Sequence, residues 1–146
     1  MKTLVIEWQR LLDEYEKTCP RCGSTEQEVE KAAARLSQEL KSYEINVSLV
    51  KKAIDPARFR KDALQSNKIL IAGKTLEEWL GARTGQSPCC DVCGDAECRT
   101  IEIADQTHET IPASLIVEAG LNAASQVFNV NMPQRKSVIT LLSEKC

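Results

Sequence analysis

The chain of 146 residues is long enough for one domain with a hydrophobic core and too short for two of ordinary size. Its 42% hydrophobic and 27% charged residues, with a formal charge of −2 not gathered into blocks, are those of a soluble globular protein. No basic stripe is present, only two Trp and two Tyr are available for base stacking, and no run approaches the ~20 apolar residues of a membrane span, so neither nucleic acid nor membrane is an expected partner.

Leu4, Val5 and Ile6 are followed at once by Glu7 and Trp8, which leaves no apolar core for a secretory signal; the expected compartment is cytoplasmic. Seven cysteines in a reducing compartment read as metal ligands or redox thiols rather than a disulfide framework. Leu4–Leu12, with β-branched residues first and rough alternation after, predicts a strand, and Asp13–Thr18 a charged loop. Cys19-Pro20-Arg21-Cys22-Gly23-Ser24 follows. A helix over Thr25–Lys41 then opens on a capping box, Ser24 with Gln27 or Thr25 with Glu28. Val29, Ala32, Ala33, Leu36 and Leu40 fall on its inward face, and Glu26, Glu30, Lys31, Arg35 and Glu39 on a solvated one.

Ile45, Val47 and Leu49 alternate as a strand, Asp55-Pro56 breaks it, and Ala57–Leu64 predicts a short helix. Lys68–Ile71 is a strand ending in the turn Ala72-Gly73-Lys74; Thr75 caps a helical turn through Leu76, Trp79 and Leu80 that Gly81 closes. Gly85–Cys98 has neither helical nor strand period and reads as a cysteine loop. Thr100–Ile103 resumes as a strand, Asp105–Thr110 as a polar turn. Pro112 opens a second helix with Leu115, Ile116, Ala119 and Ala123 on one face, slightly weakened by Gly120. Val138–Leu142 is a final helix or strand. A strand, a long helix and a strand make a parallel right-handed β-α-β unit; the later two strands read as antiparallel.

These elements, with Cys19-Pro20-Arg21-Cys22 at the mouth of the first long helix, resemble the thioredoxin-like superfamily. The resemblance implies an α/β fold with a central mixed four-stranded sheet flanked by helices, over residues 1–127, with a Cys-rich insertion at 82–98 between the last two strands and a tail at 128–146. Leu76-Glu77-Glu78-Trp79-Leu80-Gly81 through Cys89-Cys90-Asp91-Val92-Cys93-Gly94 also resembles an uncharacterised prokaryotic family known only as a domain of unknown function. One departure concerns the cis-proline that such folds carry before the third strand, where a substrate peptide is read. Here that place holds Ser66-Asn67-Lys68.

Cys19 and Cys22 admit three readings. As a redox dithiol, the thiolate is favoured by the helix N-terminus, Lys17 and Arg21; Cys19 attacks a substrate disulfide and Cys22 resolves the mixed disulfide. No cofactor is needed, and the partner is a thiol or disulfide substrate or a redox partner protein. As half of a Cys₄ zinc ribbon, Cys19-Pro20-Arg21-Cys22-Gly23 pairs with the knuckle Cys90-Asp91-Val92-Cys93-Gly94. As an inert or regulatory pair, they do neither. In a thioredoxin-like sheet the two clusters lie at opposite ends, ~17 Å apart, which favours the separate dithiol. Cys89, Cys90, Cys93 and Cys98 are then metal ligands for zinc or another thiophilic ion, a disulfide, or a second redox relay. The rival to the oxidoreductase is a non-enzymatic metal-binding protein. His108 and Asp91 read as turn residues, Trp8 and Trp79 as packing, and Cys146 as a free thiol. No Gly-rich phosphate loop, Ser-His-Asp set or histidine metal motif occurs.

Overall fold

The computed structural model describes residues 2–11, 20–55, 57, 61, 65, 67–88 and 97–130, with the backbone alone at 11, 20–23, 87–88 and 97–98. The fold is α/β. Strand β1 (Lys2–Leu11) leads to helix α1 (Pro20–Leu40), a 3₁₀ turn (Lys41–Tyr43) and β2 (Ile45–Ile54). β1 and β2 pair in parallel from Lys2↔Ile45 to Leu11↔Ile54, with α1 as the crossover. β3 (Lys68–Ile71) runs antiparallel to β1, and the two-residue β4 (Lys74–Thr75) completes a mixed four-stranded sheet in the order β2-β1-β3-β4.

Alternation along β1 decides which face is covered. Leu4, Ile6 and Trp8 are fully buried while Val5 between them is 41% exposed. The covered face lies under α1 and under α3 (Ala113–Val127), whose Val29, Ala32, Leu36 and Leu40 join Leu115, Ile116, Ala119 and Ala123 in one core. Each Val, Leu or Ile among them contributes about 1.5–3 kcal/mol through burial. Gly120 costs helix propensity of ~1 kcal/mol relative to Ala, yet a Cβ there would come within 2.5 Å of Leu36 Cδ1. The glycine sets how closely α1 and α3 approach. No helix among the described residues is long and apolar enough to cross a membrane.

Several expectations need correction. α1 begins at Pro20 rather than Thr25, so Thr25 and Glu28 lie inside it and form no capping box. Thr100–Ile103 does not join the four-stranded sheet. It belongs to β6 (Glu97–Ile103), the centre of a separate antiparallel sheet with β5 (Arg83–Pro88) and β7 (Gln106–His108). The cysteine loop therefore joins two strands of that second sheet, and the first sheet takes β4 as its fourth strand. Residues 85–88 and 97–98 are strand, and the polar turn at 105–110 contains β7. Arg83–Pro88 carries no β-branched residue but Thr84; its pairing with β6 makes it a strand, because the backbone groups gain partners whatever the local period. The short helix α2 (Leu76–Leu80) is as expected, with Thr75 Oγ1 accepting from Glu78 N at 3.2 Å and Gly81 left-handed at its end. Ala57 and Lys61 are helical. The rest of 57–64, and Val138–Leu142, lie outside the described residues.

Candidate functional site

Pro20 opens α1 at its first position, where a missing N–H costs nothing and the ring's φ is already helical. Cys22 therefore sits in the first turn of a 21-residue helix, among backbone N–H groups that lack intrahelical acceptors and carry partial positive charge. Cys19, which precedes this turn, lies outside the described residues.

The same end of the molecule collects four long-range hydrogen bonds. Thr25, fully buried one turn after Cys22, accepts from Ile111 N through Oγ1 at 3.3 Å. Glu28 Oε1 accepts from Ala113 N at 3.2 Å. Ala113 is the first residue of α3, whose own N-cap Pro112 offers no side-chain acceptor. The Thr-x-x-Glu pattern thus caps a neighbouring helix, worth about 0.5–2 kcal/mol. Lys31, and then the Ala113 N–H, hold the Glu28 carboxyl below its ordinary pKa. Before β3, Asn67 is buried with φ 58°, its Oδ1 accepting from Trp8 Nε1 at 3.1 Å and its Nδ2 donating to Glu109 O at 3.4 Å.

Of the second cluster, Cys98 lies on β6 opposite Ser87, and Pro88 pairs with Glu97. Cys89, Cys90 and Cys93 belong to the connection between those paired ends, outside the described residues. β7 runs antiparallel to β6, with His108 beside Ile101, and continues through Glu109 and Ile111 to the contacts with Asn67 and Thr25. The amino end of β6, which carries Cys98, is therefore the end of the second sheet that faces the start of α1. The placement at opposite ends expected from one continuous sheet does not apply. Among the described residues no three metal-ligating side chains converge.

Below Cys98 lies a group that the sequence does not reveal. Arg99 donates to Glu77 Oε2 through Nε at 2.8 Å and through Nη2, and Thr84 Oγ1 donates to the same oxygen at 2.7 Å. This ties α2 to the base of the β5–β6 hairpin. The run Glu77-Glu78 gives no sign of which carboxylate is buried, and Thr84 and Arg99 flank what reads as a loop; only the strand pairing brings them together.

His108, expected as a solvated turn residue, is half-buried on β7, and its Nε2 is buried without a hydrogen-bond partner among the described residues. Desolvation lowers its pKa below 6.5. A histidine whose folded pKa is depressed binds its proton more readily unfolded, so stability is full above the unfolded pKa of about 6.5 and is lost as pH falls through the folded value. Denaturation midpoints should fall with pH below 6.5, and His108→Gln should flatten that slope; an unchanged slope would count against it. A cleft of about 580 Å³ lies at the other end of the second sheet, beside Gly81, Arg83, Glu102 and Asp105, and no thiol lines it among the described residues.

A family described as "Domain of unknown function (DUF2703)" matches residues 4–120. An uncharacterised protein of Archaeoglobus fulgidus is 41% identical over 113 residues, 77% of this chain and 82% of that protein. No solved structure matches the chain.

Proposed function

The chain belongs to the DUF2703 family, and because that description assigns no activity we propose one from the chain's own chemistry: a thioredoxin-like thiol–disulfide redox protein working through Cys19 and Cys22. The observation that carries this reading is the position of Cys22 in the first turn of α1, at the carboxyl end of β1. A sulfur there is favoured as thiolate, the reactive form. The parallel β1-α1-β2 unit followed by the β3-β4 hairpin supports the thioredoxin-like architecture.

The step balances without a cofactor. Cys19 thiolate attacks a substrate disulfide and releases one sulfur as thiolate. Cys22 then attacks the Cys19 sulfur of the mixed disulfide, releasing the second. The chain's dithiol is oxidised to a disulfide, and the substrate disulfide is reduced to two thiols that take up the two protons. The substrate is a small disulfide or a redox partner protein. Cys89, Cys90, Cys93 and Cys98 form a second cluster that binds zinc or another thiophilic metal, or closes a disulfide; the hairpin pairing of Ser87 with Cys98 keeps the ends of that segment together.

A second reading, a Cys₄ zinc site shared by Cys19, Cys22, Cys90 and Cys93, is favoured by the direction of β6, whose Cys98 end faces the start of α1. Metal content and free thiols, counted on chelator-free protein before and after mild oxidation, separate the two. Redox chemistry requires two thiols to disappear as a Cys19–Cys22 disulfide, with any metal retained. About one zinc per chain, released as those two thiols oxidise, would replace the redox reading with the shared site.

A further inference from the structure

β2 (Ile45–Ile54) is an outermost strand of the four-stranded sheet, with β1 on one side and no strand on the other among the described residues. A row of unpaired N–H and C=O groups of that length is a template for another strand, and folded proteins defend such an edge with a bulge, a proline or free lysines. β2 has none of these. Its register with β1 runs unbroken from Lys2↔Ile45 to Leu11↔Ile54, so it carries no bulge. It contains no proline, and Ile45–Val50 contains no charge. Its two lysines are engaged within the chain, Lys51 with Glu26 at 3.1 Å and Glu30 at 2.6 Å, and Lys52 with Glu7 at 2.9 Å.

The strand fits a second copy of itself. Two copies related by a two-fold axis perpendicular to the sheet pair antiparallel, and residues set opposite one another share a face, so the axis must fall on one residue position. With the axis at Ser48, Asn46 meets Val50 and Val47 meets Leu49 of the second copy. Lys52 then comes beside the exposed Glu44 of that copy, the residue just before the strand. An axis at Leu49 or Val50 would set Lys52 against Asn46 or Ser48 and lose this opposite-charge pair. Two of the exposed large hydrophobic residues lie on the outer face beside the same point. Val5 pairs with Ser48 across β1 and β2, and Val50 is two residues further along, where Asn46 and Ser48 of the second copy would partly cover it.

We propose that β2 is a self-association edge: two chains pair antiparallel through Ile45–Lys51 about Ser48, and their four-stranded sheets become one sheet of eight. The occupant of the edge is a second copy of this chain. The starts of the two α1 helices then lie toward opposite ends of the joined sheet, because β1 is parallel to β2. Association therefore stands or falls independently of the redox reading.

The test is sedimentation of reduced full-length protein from about 1 to 500 µM, which should reach twice the chain mass at the upper end, with the β2 amides protected from exchange as the dimer forms. Ser48→Lys sets two like charges across the axis and should weaken the dimer about 3- to 10-fold, as should Ser48→Asp alone. An equal mixture of the two variants brings opposite charges together and should recover association to within about twofold of wild type. Where either variant loses the wild-type melting curve, Ser48→Cys replaces the pair: mild oxidation should join the two introduced thiols in a disulfide that peptide mapping identifies. A monomer throughout the series overturns the proposal, including one whose β2 amides are protected, since another part of the same chain then covers the edge. So does a dimer that Ser48→Lys leaves unchanged, a mixture of folded variants that fails to recover, or oxidised Ser48→Cys without that disulfide.

Discussion

Truncating either partner of the buried Glu77–Arg99 pair is expected to cost about 3–5 kcal/mol, a large share of the roughly 5–15 kcal/mol that holds a domain of this size together. The two side chains are only 6% and 8% exposed. Arg99 and Thr84 both donate to Glu77 Oε2, and Glu77 Oε1 has no partner among the described residues. Glu77→Ala therefore removes the carboxylate to which the buried Arg99 guanidinium donates through both Nε and Nη2. Arg99→Ala leaves a buried carboxylate with one neutral donor. Replacing both, as Glu77→Leu with Arg99→Met, removes the desolvated charges together and should cost far less than the sum of the single changes. The check is a double-mutant cycle by chemical denaturation. Single changes below about 1 kcal/mol, or additive ones, would show that the pair contributes no coupling. An isolated five-residue helix has no stability of its own, so the pair also explains why α2 persists. The hairpin bearing Cys98 should loosen with it, visible as faster amide exchange in β5 and β6.

Where a local rule and the tertiary structure ask the same thing of a residue, the element was legible from the sequence. The 2-residue period of Leu4, Ile6 and Trp8 and the 3.6-residue period of Val29, Ala32, Leu36 and Leu40 follow from burial on one face, and both faces are buried as expected. Thr75 and Gly81 bound α2 because their capping roles are local. The misreadings share one cause, a local pattern put to non-local use. Thr25 and Glu28 have the spacing of a capping box, but the orphan N–H groups they satisfy belong to the approach to α3, 85 or more residues away. Gly120 has the propensity of a weak helical position, and what decides it is the Leu36 side chain of another helix. Arg83–Pro88 has no strand period, since Gly85 lies under the side chains of Thr100 and Glu102 rather than contributing one of its own. Of the candidate site, the sequence showed the thiols and the helix that begins beside Cys22. It could not show Asn67 or Arg99, because each is an ordinary polar residue until a strand 59 or a helix 22 residues away is set against it.

Asn67→Pro is expected to be the most damaging single change in the chain, beyond about 4–5 kcal/mol and sufficient to prevent folding. Asn67 has φ 58°, a left-handed conformation that asparagine tolerates and that a proline ring, fixed near about −65°, cannot adopt. A proline would have to turn the backbone by more than about 100° immediately before β3, moving the entry that pairs Lys68 with Gln9. It would also strip the acceptor from the buried Trp8 indole N–H and the donor from Glu109 O. The series separates these contributions. Asn67→Gly keeps the conformation and loses only the side-chain bonds, about 1–3 kcal/mol. Asn67→Ala adds about 1–2 kcal/mol of left-handed strain. Asn67→Asp keeps an acceptor for Trp8 and should be milder than alanine. Solubility and denaturation midpoints, read in the order Asp, Gly, Ala, Pro, check the ranking; a proline variant as stable as the glycine one would show that the left-handed turn is not required. This is the place where the superfamily resemblance puts a proline. Here the side-chain amide of Asn67 ties β1, through Trp8, to the segment that follows β7, and the backbone conformation that allows it excludes the proline.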